Sequence, residues 1–332
     1  MNVYGPQRCL LIAPLSFYSF HLDVVAALER RGYVVETLNE EFPANALGKV
    51  LGKICLPLLR RFTLFGLRKR LAGRPRYNLI VIIKGRGIGR EAIRWLKERA
   101  DYVVGYNFDS FRFNPSPLSW HDLTDRYATF DIIDAKCFGL PLVHLFSAAE
   151  GTKEQRRDIA LSVVMRVHSD RLIYVDRILR ALPGHPVSVF LFVSSRIILA
   201  LHALRAPLTV WRLRHHISFK PLPYPEAMGL IARSHTTLDY AHPLQSGITV
   251  RCHEAQSLGV AVITNNPHVE ASGIFPAGSI GTFPLDGDVG RLPALVESLS
   301  RAGIAPKQRG SDIFIAELLG DLSGRSRRGD KS

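Results

Sequence analysis

Cysteine is scarce in this chain: four in 332 residues, Cys9, Cys55, Cys137 and Cys252, with no paired spacing. That excludes a disulfide framework and a zinc-finger ligand set, and it points to a reducing compartment. Long apolar runs are lacking too. The nearest candidate for a membrane span, VSVFLFVSSRIILALHAL, carries Arg196 at its middle, where a charge in lipid is costly. The opening MNVYGPQRCLLIAP is too short and too interrupted for a signal peptide. A soluble, cytoplasmic protein is therefore expected. Phosphate-cradling signatures are also missing. No P-loop occurs, and GRGIGR places Arg90 where the third glycine of G-x-G-x-x-G belongs, which disfavours dinucleotide binding.

Acidic residues are absent between Glu41 and Glu91, where twelve Lys and Arg residues fall, from Lys49 to Arg90. The net charge of the chain is +14. A surface of this kind attracts polyanions. In LGKVLGKICLPLLRRFTLFGLRKRL large apolar residues alternate with the basic ones, as amphipathic helices broken near Pro57 and Gly66 would require. Basic plus large apolar residues suit an anionic membrane surface better than a DNA groove, so no nucleic-acid partner is expected. The alternative is a pair of core-packed helices with a solvated basic face.

The composition, 47% hydrophobic and 22% charged, is that of a globular protein, and the length favours two domains. CLLIAP, YVVETL, NLIVIIK, DYVVGYN, YATF and PLVHLF read as strands, with HLDVVAALERRG and REAIRWLKERA as helices between them. The polar SAAEGTKEQRRD reads as a linker. The rhythm restarts with IALSVVM, PVSVFLFV, ISFKPL, TTLDY, VAVIT and SIGTF as strands separated by helices. Near-continuous apolar strands alternating with helices imply parallel sheets covered on both faces. The expected fold is α/β, two Rossmann-like doubly wound domains facing across a cleft. The domains are expected at 1–148, with a basic amphipathic insertion at 44–76, and at 159–320. A linker at 149–158 joins them, and a disordered tail covers 321–332.

The densest stretch is HPLQSGITVRCHEAQSLGVAVITNN, residues 242–266. Gly247 permits a tight turn, and a helix from about Ile248 to Leu258 presents free backbone N–H groups at its start, an anion site suited to a diphosphate. Glu254 lies further along, where a carboxylate could accept from ribose hydroxyls. Asn265 and Asn266 follow the strand VAVIT and face the cleft. A plainer alternative pairs Arg251 with Glu254 on the surface at i,i+3.

GITVRCHEAQSLGVAVITNN resembles the donor-binding signature of group-1 GT-B glycosyltransferases, most nearly the branch of capsular and lipopolysaccharide biosynthesis and its spore-maturation-like relatives. ISFKPLPYPEAMGLIARSHTTLDY and LSVVMRVHSDRLIYVDRILRAL are similar to the segments preceding that signature, so the likeness covers about residues 159–301. In the first half it rests on the fold rhythm and on IIKGRGIG and TFDIIDAK. The resemblance implies transfer of a sugar from a nucleotide-sugar donor to a saccharide or lipid-linked acceptor, without a metal or other cofactor, at the inner face of the cytoplasmic membrane. Glu254 would bind the ribose. The Gln245-Ser246-Gly247 loop would face the diphosphate and sugar, with Ile248, Thr249 and Arg251 completing the donor set. Arg166 and Arg171 would neutralise the leaving diphosphate. One departure stands out: many relatives carry another Glu eight residues before the ribose-binding one, and this chain has Ser246 there. A catalytically inactive partner or scaffold in envelope assembly, and a sugar-nucleotide epimerase, are the alternatives.

An inverting reaction also needs a base for the acceptor hydroxyl. His21 and Asp109 follow strands, where a base could stand. Alternatively, His21 simply opens its helix and Asp109 caps a turn. Lys84 and Arg86, around GRGIG, are candidates for an anion or phosphorylated-acceptor site, against an ordinary tight strand-to-helix turn. Asp286-Gly-Asp288 has the form of a metal-binding D-x-D, but it precedes a helix and is expected to cap it. His215-His216, Cys252 and His253 form no convincing ligand set.

Overall fold

The computed structural model describes residues 6–15, 20–149, 151 and 156–322. The chain divides into two compact units. The first is Met1–Phe146 with Leu244–Gly247 and Gly310–Ser332, and the second is Ser147–Pro243 with Ile248–Arg309. Residues 150 and 152–155 of the expected linker and 323–332 of the expected tail lie outside the described residues.

The first unit runs β1 (Gln7–Ala13), α1 (Phe20–Arg30), β2 (Tyr33–Asn39), α2 (Ala46–Ile54), α3 (Leu56–Leu71) and β3 (Tyr77–Ile83). It continues through α4 (Arg90–Lys97), β4 (Ala100–Asn107), β5 (Arg126–Thr129) and α5 (Ile132–Phe138). Its sheet is wholly parallel in the order β2-β1-β3-β4-β5. Alternate side chains of each strand enter opposite layers, as the period of two requires. Leu11, Val81 and Val104 pack with Val24 and Leu28 of α1, whereas Ile12, Ile80 and Ile82 pack with Leu67 of α3 and Ile93 of α4. Both faces are buried, which is why the strands read as unbroken apolar runs.

The second unit runs β6 (Ile159–Arg166), α6 (Arg171–Arg180), β7 (Val187–Phe192), α7 (Arg196–Arg205), α8 (Pro207–Leu213), β8 (Ile217–Ser218) and α9 (Tyr224–Ala232). It continues with β9 (Ser234–Leu238), α10 (Val250–Ser257), β10 (Ala261–Thr264), α11 (Pro267–Ala271), β11 (Ile280–Thr282) and α12 (Leu292–Ser300). This sheet is also parallel, ordered β11-β10-β9-β6-β7-β8. Leu161 and Val163 pack with Val175 of α6 and Val296 of α12, and Val164 and Val262 with Ile231 of α9 and Ala255 of α10. The run VSVFLFVSSRIILALHAL is divided between β7 and α7. Among the described residues no helix is long and apolar enough to cross a membrane.

Four local readings change. PLVHLF is no strand: Leu142 makes one isolated bridge to Thr129, and the rest is irregular. The helix pair in the basic stretch breaks at Cys55, and Pro57 stands in the first turn of α3, where its missing N–H costs nothing. Gly66 breaks nothing; it lies within α3, where a Cβ would come 2.8 Å from the Phe42 ring. The expected second domain, 159–320, loses its end: residues 311–319 form α13 (Ser311–Leu319), which belongs to the first unit. Phe314, Ile315, Leu318 and Leu319 enter the core there, and the Phe314 ring lies 4.9 Å from Tyr106 and 5.8 Å from Phe20. Arg30, the last residue of α1, and Arg31 after it pair with Asp312 at 2.9 and 3.1 Å.

Phe314 is therefore a core residue supplied from the far end of the chain. Phe314→Ala is expected to destabilise the first unit by about 3–5 kcal/mol, read as a lower denaturant midpoint, with near-UV circular dichroism reporting loss of the aromatic cluster.

Candidate functional site

In open parallel sheets ligands gather at the carboxyl ends of strands, where the chain order reverses. In the first unit that reversal lies between β1 and β3, and in the second between β6 and β9.

At the first, Lys84 directly follows β3 in the left-handed region, with φ +67°. A side chain held there is strained, so its surroundings must fix it. They do: Lys84 Nζ lies 2.9 Å from Asp109 Oδ2 and 5.2 Å from the centre of the Phe108 ring. The other Asp109 oxygen accepts from Gln245 Nε2 at 3.0 Å. Arg86 is taken up likewise, its Nε and Nη2 donating to Glu41 Oε2 at 2.9 and 2.5 Å. Its backbone N–H donates to Glu40 Oε2 at 2.8 Å. The two candidate anion-binding cations thus already carry carboxylate partners, and GRGIG forms the tight turn, with Ile88 N donating to Gly85 O at 3.0 Å. His21 is the second residue of α1, and its Nδ1 is buried with no hydrogen-bond partner among the described residues. His21, Lys84 and Asp109 therefore follow three adjacent strands.

Glu40 was not singled out from sequence, though NEEF after an apolar strand is a visible pair of acids. It is buried, and loss of hydration pushes its carboxyl up to about 7 despite Lys84, Arg86 and the backbone hydrogen bond pulling the other way.

The Gln245-Ser246-Gly247 loop belongs to this unit. Asp131, buried at the start of α5, takes Ser246 N at 2.6 Å, Ser246 Oγ at 2.7 Å and Gly247 N at 3.3 Å. It also caps α5, accepting from Ile133 N and Asp134 N, each at 3.1 Å. The same Ser246 Oγ accepts from Ile133 N at 2.9 Å. Gly247 is needed for close approach: a Cβ there would come within 2.4 Å of the Phe130 ring. A Glu in place of Ser246 would set a second carboxylate against the buried Asp131.

In the second unit β6 ends on Arg166, which is exposed, and Arg171 opens α6. Arg171 donates to Arg166 O at 2.9 Å and Tyr240 O at 3.1 Å, so it ties the end of β6 to the residues after β9. Between them Ser169 is left-handed, with φ +51°. The His168 imidazole falls to about 4, first through loss of hydration and then through the positive charges of Arg171, His242, Arg166 and His202. Sequence reading passed over His168, because RVHS looked like a plain loop.

Helix α10 begins at Val250, two residues later than expected, and Thr249 supplies no side-chain cap. Thr249 Oγ1 instead donates to Asp239 Oδ1 at 2.6 Å, and Thr264 Oγ1 to Asp239 Oδ2 at 2.7 Å. Asp239, an acid ending the strand-like TTLDY, thus joins three elements. Ile248 is fully buried. Arg251 and Glu254 do pair, at 2.7 Å, but within the structure rather than on its surface. Arg251 also donates to Val164 O at 3.0 Å. Burial raises the Glu254 carboxyl, against the lowering effects of Arg251 and a hydrogen bond from Tyr224. Asn265 and Asn266 are used locally. Asn265 exchanges hydrogen bonds with the Ala241 backbone, and Asn266 caps α11 through His268 N. Asp288 accepts from Gly290 N at 2.9 Å as a helix cap. Among the described residues no group of three or more His, Cys, Asp or Glu is disposed to hold a metal ion.

No protein-family model matches the sequence, and no curated protein does. Solved structures match along nearly its whole length. Sucrose-phosphate synthase from Thermosynechococcus elongatus gives a TM-score of 0.60 at 10% identity, over 96% of this chain and 97% of that one. The UDP-GlcNAc 2-epimerase of Methanocaldococcus jannaschii, in complex with UDP-GlcNAc and UDP, gives 0.56 at 12% identity over 94% and 99%. Anabaena HepE, in complex with UDP and glucose, gives 0.56 at 11% identity over 97% and 100%. At such identities the likeness establishes the fold: two parallel-sheet α/β domains of the GT-B type, shared by glycosyltransferases and UDP-GlcNAc 2-epimerases.

Substitutions at two positions test the geometry of the first unit. Glu40 holds its proton to about pH 7 in the folded state, against 4.5 when unfolded. The folded state binds more protons between these values, so stability falls as pH rises through them. Glu40→Gln should shrink the stability difference between pH 5 and pH 8 by about 2–3 kcal/mol, measured by chemical denaturation at both. Asp131→Ala should cost about 3 kcal/mol or more, because five donors lose one acceptor, with Asp131→Asn milder.

Proposed function

We propose that this GT-B-fold protein is a glycosyltransferase that moves a sugar from a nucleotide-sugar donor to a saccharide or lipid-linked acceptor of the cell envelope, without a metal. The observation that carries the reading is the placing of Arg166 and Arg171, joined by a hydrogen bond from Arg171 to the Arg166 carbonyl, where the second sheet reverses its order. Breaking the bond between a sugar and a diphosphate leaves added negative charge on the diphosphate. Preplaced cations stabilise that charge at the moment it forms, and they need no reorganisation to do so. Solved proteins of the same fold in complex with UDP support a nucleoside diphosphate as the class of guest.

Glu254 receives the ribose in this reading. The Tyr224 hydroxyl that now meets its carboxylate stands in for a ribose hydroxyl, and Tyr224 lies on the exposed start of α9, able to give way. Arg251 holds the carboxylate in place. Gln245, Ser246 and Gly247 act through packing, since Asp109 and Asp131 engage them. Of the two base candidates His21 is the better placed, because Asp109 is committed to Lys84 and Gln245. Lys84 and Arg86 then shape the acceptor side of the first unit. Helices α2 and α3 expose Leu47, Val50, Ile54 and Phe65 beside Lys53, Arg61, Arg68 and Lys69, and this surface engages anionic lipid at the cytoplasmic face of the membrane. The capsular and lipopolysaccharide branch is the corresponding setting.

A second reading, a sugar-nucleotide epimerase, is favoured by the UDP-GlcNAc 2-epimerases among the matching structures; it predicts product without any acceptor. A partner protein without catalysis predicts nucleotide binding and no turnover.

Thermal shift with UDP, GDP, CMP, dTDP and ADP is expected to show one preferred nucleotide, because a ligand that binds the folded state raises the melting temperature. Arg166→Ala should weaken that nucleotide about tenfold or more and leave the ligand-free melting temperature unchanged. Full retention of affinity in both Arg166→Ala and Glu254→Ala would remove the proposed site.

A further inference from the structure

From Arg177 to Pro225 the chain contains no acidic residue. Helices α7 and α8 lie in this stretch, and their outward side chains are large and apolar. Ile197, Leu201, Leu204, Leu208 and Trp211 are 74%, 55%, 82%, 67% and 62% exposed. Steps of four and three residues put Ile197, Leu201 and Leu204 on one face of α7, and a step of three puts Leu208 and Trp211 on one face of α8, so the stripe has two segments. No residue of α7 is fully buried, so the helix packs by one edge and leaves this stripe to whatever lies outside. Single exposed apolar residues are ordinary, but five of them on two consecutive helices are the mark of a contact surface.

The charge carried by the stretch itself has one sign. Arg196 opens α7, Arg205 closes it, and Lys220 follows β8, all exposed. Arg214 lies with its guanidinium 4.4 Å from the centre of the Trp211 ring. Arg212 is the exception, engaged by Asp176 at 2.7 and 2.6 Å. A partner helix would need a straight seam, since a coiled coil repeats the same contact along its length. This stripe bends: Ala206 leaves the helical region, with φ −147° and ψ 72°, and Pro207 starts α8. A lipid surface tolerates the bend. Leucines enter the headgroup boundary, tryptophan settles at the interface, and arginine and lysine meet the lipid phosphates.

We propose that α7 and α8 form a membrane-interfacial surface on the second unit whose partner is an anionic phospholipid layer. It uses residues other than those of α2 and α3, and it stands whether or not the protein transfers a sugar.

Trp211 is the local reporter. Of the three tryptophans, Trp120 is fully buried and Trp95 lies beneath Arg99. Vesicles of phosphatidylglycerol and phosphatidylcholine, added to the full chain, are expected to shift tryptophan emission to the blue and to quench it when the lipid is brominated. Trp211→Phe should abolish both signals. The double variant Leu201→Ser with Leu204→Ser should bind about tenfold more weakly or worse, with an unchanged melting temperature because both positions lie outside the core. Retention of the protein on vesicles with no Trp211 response would overturn the assignment and leave the α2–α3 surface untouched. An equal response to pure phosphatidylcholine would overturn it as well. So would self-association, abolished by the serine pair, in a protein whose Trp211 ignores vesicles; that result would make the occupant a second copy of the chain.

Discussion

A single buried carboxylate organises the densest part of this molecule. Asp131 accepts from two amides at the start of α5 and from two amides and a hydroxyl of the Ser246–Gly247 segment. A carboxylate away from water is tolerable only when it is saturated in this way, and here the saturation comes from chain more than a hundred residues distant. Leu244–Gly247 is thereby held as a short tongue of the first unit between two stretches of the second. The identity of Ser246 follows from this arrangement. Its small hydroxyl both donates to Asp131 and accepts from Ile133 N, which a longer acidic side chain could not do.

The two strand-order reversals share a device and differ in charge. Each has a left-handed non-glycine residue nearby, Lys84 in one and Ser169 in the other. In the first unit cations are balanced by acids, Lys84 by Asp109 and Arg86 by Glu41, with Glu40 kept uncharged up to about neutrality. In the second, cations crowd together around His168, and Arg171 leans on backbone carbonyls. A balanced site suits neutral, hydroxyl-bearing molecules and proton exchange, and a crowded positive one suits an anion.

The sheets were legible because strands buried on both faces must be apolar at every position, so CLLIA, NLIVII and LSVVM announce themselves. Arg166, by contrast, was reached only through the resemblance; the structure places it as the exposed last residue of β6. Pairings across long separations were not. Nothing near Ser246 points to Asp131, and nothing near Arg86 points to Glu40, 46 residues away. PLVHLF misled because it has a strand's composition but meets β5 through a single bridge, at Leu142. Gly66 misled because a glycine inside a helix serves a neighbouring ring as readily as a break. Asp239 shows the intermediate case: its place at a strand end was visible, but its two threonine partners come from different elements.

The return of α13 to the first unit has a bearing on how the chain is made. Synthesis delivers β1 to α5 first, yet that layer stays open over Phe20, Tyr106 and Phe146 until residues 311–319 leave the ribosome. The earlier-made half must therefore wait, partly uncovered, while the later half is completed, an inversion of the usual order in which amino-terminal domains finish before their successors.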